Sequence, residues 1–136
     1  MPGTTTLRCW LPFALWLLLV GGIIACADRG GLRGFLRLVY DFPGGDKAGH
    51  IFLIGTLTFL LNHALAGRTV AVGKCRVQLG GIIIAAVMTV EEVSQIWIPS
   101  RTFDLLDLAA NYTGILCAGW LTRRFNRPAP IRSARL

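Results

Sequence analysis

Residues 9 to 27, CWLPFALWLLLVGGIIACA, run for 19 residues without a charged side chain. Wound as a helix, a run of about 20 residues at about 1.5 Å each matches the hydrocarbon thickness of a bilayer. Three more apolar runs follow, over residues 46–66, 77–98 and 104–122. The chain is 54% hydrophobic and only 15% charged, against about 25% charged in an ordinary soluble domain. This pattern predicts an all-α fold, an integral membrane bundle of four transmembrane helices. One domain covers residues 1–136, with no room for a separate soluble catalytic module.

A cleaved leader is the competing reading of the first run. Its end, Ile23-Ile24-Ala25-Cys26, also fits a bacterial lipoprotein cleavage box, and cleavage there would require Cys26 to lie outside the cell. The next segment, residues 28–45, has Arg29, Arg33 and Arg37 at four-residue intervals, with Leu32, Leu36, Val39 and Tyr40 on another side. That suits a short amphipathic helix in the membrane interface, or a basic solvated loop. Residues 67–76 read as a short basic loop. Gly80, Gly81, Ala85 and Ala86 on the third run, and Ala110, Gly114 and Ala118 on the fourth, permit close helix approach.

Orientation follows from the distribution of Lys and Arg. Nine of the 14 lie on the side of the N-terminus, of residues 67–76 and of the tail 123–136, and five lie on the other. Both termini are therefore placed in the cytoplasm. The tail alone carries Arg123, Arg124, Arg127, Arg132 and Arg135, as expected of a segment facing anionic lipid. The net charge of +7 is thus a membrane signal, and nucleic acid is not an expected partner. All seven acids fall toward the outer side, an asymmetry independent of the Lys and Arg distribution. Cys9, Cys26, Cys75 and Cys117 include no Cys-x-x-Cys pair, so neither a zinc ribbon nor a redox motif is suggested.

The acids concentrate at the ends of three runs. Asp46, Lys47 and His50 open the second, Glu91, Glu92 and Gln95 close the third, and Arg101 stands in the turn Pro99-Ser100-Arg101. Asp104, Asp107 and Asn111 then form one helical stripe. An intramembrane carboxylate costs roughly 2.5–3.5 kcal/mol on insertion scales, so such an acid needs a partner or becomes neutral. These ten residues are expected to build one polar pocket just inside the outer surface, the alternative being a purely structural network between helices. His63, about 20 Å along its helix from His50, is expected to sit alone at the opposite interface.

Asp46-Lys47-x-x-His50, then Glu91-Glu92-x-x-Gln95-x-x-x-Pro99-x-Arg101, then Asp104-x-x-Asp107-x-x-x-Asn111-x-x-Gly114 resembles the VanZ-like family of bacterial membrane proteins. The likeness covers roughly residues 46–119. It implies a four-span protein of the cytoplasmic membrane, in a family named for a determinant of lowered sensitivity to teicoplanin. The family's molecular activity is not defined by this likeness. Intramembrane glutamate proteases of the CAAX-processing type are a poorer match. Phe59 and His63 fit their Phe-x-x-x-His, but Ile96 stands where Glu-Glu-x-x-x-Arg needs arginine.

Two functions fit the pocket. A non-enzymatic envelope protein would bind a lipid headgroup, a cell-wall precursor or a glycopeptide, with Lys47 and Arg101 holding an anionic group. An intramembrane hydrolase or acyl transferase would use Glu91 or Glu92 as general base and His50 as a second proton carrier. The spacing of Asp46, His50, Glu92 and Asp107 is by itself poor evidence for a metal, and no cofactor is expected. The absence of an internal repeat disfavours a self-contained transporter.

Overall fold

The computed structural model describes residues 3–29 and 44–125. The segment read as an interfacial helix and most of the basic tail lie outside the described residues. Four helices appear where the apolar runs predicted them: α1 (Gly3–Asp28), α2 (Gly45–Ala64), α3 (Leu79–Ser94) and α4 (Leu105–Phe125). The protein is therefore mostly helical. Among the described residues two helical segments are long and apolar enough to cross a membrane, Arg8–Asp28 in α1 and Leu79–Trp97, which is α3 with the short 3-10 turn that ends it. The helices α2 and α4, of 20 and 21 residues, carry polar groups in their first and last turns.

The helix α2 is the hub of the bundle, packing on α1, α3 and α4, and α3 also packs on α4. The α2–α4 contact is the most extensive, and two glycines explain its closeness. A Cβ on Gly114 would stand 2.6 Å from the Ile51 carbonyl oxygen and 3.0 Å from the Gly55 nitrogen. Only glycine lets the two backbones approach so far. The predicted stripe Ala110, Gly114, Ala118 is indeed buried, and Gly80 and Gly81 are buried on α3. Ala86 is exposed and takes no part in packing. On the other side, the Trp16 indole N–H donates to the Leu53 carbonyl at 3.0 Å, tying α1 to α2.

The helix α2 ends on a Schellman turn. Gly67 N–H donates to Asn62 O at 2.8 Å and Ala66 N–H to His63 O at 3.0 Å, with Ala66 in the left-handed region at φ 53°. Glycine is the usual occupant of that position, and here it follows one residue later. Residues 69–78, expected as a loop and the start of the third span, instead form an antiparallel hairpin of β1 (Thr69–Val72) and β2 (Cys75–Gln78). Its signal was present in the alternating Thr-Val-Ala-Val and Cys-Arg-Val-Gln around Gly73. Gly73, with φ 59°, takes the first loop position, where a two-residue II′ turn needs positive φ. The third helix accordingly begins at Leu79 rather than residue 77.

Candidate functional site

The ten predicted residues come together at the end of the bundle where α2 and α4 begin and α3 finishes. They divide into an inner network and the lining of a cavity.

The network is centred on Lys47. Its ammonium donates to Asp46 Oδ2 and Asp104 Oδ2, each at 2.8 Å, and to Asp107 Oδ1 at 2.5 Å. An ammonium has three N–H donors, so all are consumed, and Lys47 ties the first turn of α2 to that of α4. Asp104 stands just ahead of α4 and caps it, its Oδ1 accepting from Leu106 N–H at 2.8 Å. In a capping box the residue three positions on reaches back to the cap's own N–H. Asp107 instead turns to Lys47, and Glu92 takes that N–H from α3, at 3.0 Å from its Oε1.

Glu92 is wholly buried. Its other oxygen accepts from Gln95 Nε2 at 3.3 Å. The same amide nitrogen lies 3.1 Å and 3.2 Å from the two oxygens of Glu91. Asn111, also fully buried, places its Oδ1 2.9 Å from His50 Nδ1. With that carbonyl oxygen facing it, Nδ1 is the donor, and Nε2 lies 3.8 Å from Asp107 Oδ2. Buried polar networks of this kind hold only when their members are satisfied; one atom of this set, Asn111 Nδ2, has no partner among the described residues.

Beside the network lies a cavity of about 240 Å³ between α1, α2 and α3. Val20, Ile23, Ile24, Leu53, Ile54 and Met88 give it apolar walls, and Asp46, His50, Glu91 and Arg101 line it near the helix ends. The two adjacent glutamates, about 100° apart on a helix, thus take separate places. Glu91 lines the cavity, where Arg101 Nη2 is 3.7 Å from its Oε1. Glu92 is turned into the bundle. Lys47, expected as a ligand-holding cation, does not line the cavity, nor do Gln95, Asp104, Asp107 and Asn111. Asp46, His50, Glu92 and Asp107 do not converge on one point, because Lys47 holds the aspartates and the Asp104 amide holds Glu92.

His63 is exposed at the far end of α2, away from the pocket. Near it lies a second buried polar group that the sequence pattern does not predict. Asn62 Nδ2 donates to Gln78 Oε1 at 3.0 Å, and Thr122 is buried on α4. A lone amide at the end of an apolar run carries no sequence signal of its partner, since Gln78 belongs to the unforeseen hairpin. Compared with known proteins, the chain matches no family model, no curated protein and no solved structure.

Proposed function

We propose that this chain is a four-span protein of the bacterial cytoplasmic membrane, VanZ-like in type, with both termini in the cytoplasm. In this reading its outward-facing cavity binds the polar end of an envelope amphiphile: a lipid, a cell-wall precursor or a glycopeptide of the teicoplanin kind. An inverted distribution of polarity supports the membrane reading of all four helices. The largest fully buried side chains are Glu92, Asn62, Asn111, Thr58 and Thr122, all polar, while Leu15, Leu18, Val90 and Leu116 are 60–73% exposed. Water as solvent would favour the reverse, whereas lipid tolerates apolar exteriors and drives polar groups inward.

The cavity is the observation that carries the binding reading. Apolar walls below a rim of Asp46, His50, Glu91 and Arg101 match a molecule with a hydrocarbon part and a polar head. The Arg101–Glu91 pair at 3.7 Å is loose enough for an anionic headgroup to replace the carboxylate. Thermal unfolding of the purified protein with candidate headgroups tests this. A ligand should raise the wild-type midpoint, and Arg101→Ala should lose most of the rise; no rise with any headgroup would count against binding.

A second reading, an intramembrane hydrolase or acyl transferase, rests on Glu91 and His50 facing the same cavity. Glu91 rather than Glu92 would then be the general base. Mass spectrometry of envelope lipids and cell-wall fragments, from cells expressing wild type or Glu91→Gln at matched levels, separates the two. A species altered only by the wild type would establish catalysis, and identical profiles would return the case to binding.

A further inference from the structure

The hairpin at the opposite end of the bundle has two unlike faces. Directly paired residues of an antiparallel ladder share a face. Val70 pairs with Val77 and Val72 with Cys75, so these four form one face. Thr69, Ala71, Arg76 and Gln78 form the other. The second face meets the bundle at its base, where Gln78 is buried against Asn62, while Ala71 and Arg76 are exposed. Arg123 of α4 also donates to the Arg76 carbonyl at 2.8 Å. On the first face Val70 and Val72 are 37% and 55% exposed and Cys75 is exposed, while Val77 is partly covered.

Charge surrounds that bare apolar face. Arg68, Lys74, Arg76, Arg123 and Arg124 are all exposed at this end. Among the described residues none of them pairs with an acid, every ion pair being at the other end of the molecule. An apolar face ringed by unpaired cations is the pattern of an element lying in an anionic lipid interface, its apolar side chains in the acyl boundary and its cations at the phosphates.

We infer that the β1–β2 hairpin docks on anionic phospholipid, Val70, Val72, Cys75 and Val77 entering the interface while Arg68 and Lys74 meet headgroup phosphates. The inference rests on the membrane reading above but not on what the cavity binds. It gives the basic end a partner of defined chemistry, and it accounts for a connection between two helices built as a paired amphipathic ribbon rather than as a bare loop.

The test uses the full chain in detergent, with Cys9→Ser, Cys26→Ser and Cys117→Ser, and an environment-sensitive fluorophore on Cys75. Phosphatidylglycerol added to the micelles should shift the emission to the blue and saturate, phosphatidylcholine should not, and added salt should weaken the response. Arg68→Ala with Lys74→Ala should lower the apparent affinity roughly 30-fold, about five-fold for each cation lost. Equal responses to the two lipids, or a shift that follows protein concentration without lipid and so reports a second copy on the open strand edge, would overturn it. An alkaline carbonate wash of expressing membranes separates the two levels. Protein kept in the pellet but indifferent to phosphatidylglycerol defeats the hairpin inference alone, and protein released to the supernatant defeats the membrane reading with it.

Discussion

The two ends of the bundle solve the problem of charge in opposite ways. At the end holding the cavity, Lys47 is surrounded by three carboxylates and Glu92 is sealed behind a backbone amide and Gln95. Charges there are consumed internally and fasten α2, α3 and α4 to one another. At the hairpin end, arginines and a lysine stand exposed and pair with no acid among the described residues, and the buried fastening is a neutral amide pair, Asn62 with Gln78. The first end spends charge on internal position, and the second leaves it to the surroundings. A buried charge must be compensated within the protein, whereas an exposed cation is left to solvent or lipid.

Removing Glu92 should break the contrast most severely. Glu92→Ala leaves the Asp104 N–H unpaired, leaves the Gln95 amide to Glu91 alone and opens a void, at a cost of about 3 kcal/mol. Glu92→Gln keeps an acceptor for the Asp104 N–H, and its cost should be about 1 kcal/mol; thermal unfolding in detergent would rank the two, and equal losses would mean that charge rather than hydrogen bonding matters there. Next, Lys47→Ala leaves three carboxylates converging without a cation and should cost about 2 kcal/mol. The loss should shrink when Asp107 is changed to Asn in the same chain, as a double-mutant cycle would report.

At the hairpin end the effects should be smaller. Gln78→Leu strands the Asn62 amide, and a loss of about 1–1.5 kcal/mol is expected. A loss as large as that of Glu92→Ala would erase the distinction between the ends. Ala66→Gly should stabilise by about 0.5 kcal/mol, because relief of the left-handed strain at φ 53° exceeds the added freedom of glycine in the unfolded chain. A lower midpoint for that variant would show that the turn is not strained.

The helices were legible because apolar run length is a property of consecutive residues. The polar cluster was legible for a related reason: acids and amides at the ends of successive antiparallel helices are brought to one surface by connectivity alone. The stripe through Gly114 could also be read, since spacing of four residues places small side chains on one face. The hairpin is harder to read, because its strands are short and rich in valine and basic residues flank them, so charge masks their alternation. Lys47 and Arg101 look equivalent in sequence, and only the packed helices show that one is consumed by aspartates while the other borders a cavity.

The sequence by itself determined that the chain is helical, and that most of its acids gather at one end of the helices and most of its cations at the other. Those features follow from hydropathy and helical period, which act along the chain. Tertiary structure decided which glutamate faces the cavity, which acids consume the Lys47 donors, and where two backbones touch through Gly55 and Gly114. Each depends on the rotation of one helix against another. A turn of about 100° per residue about the helix axis exchanges a buried carboxylate for an accessible one, and no local pattern states that angle.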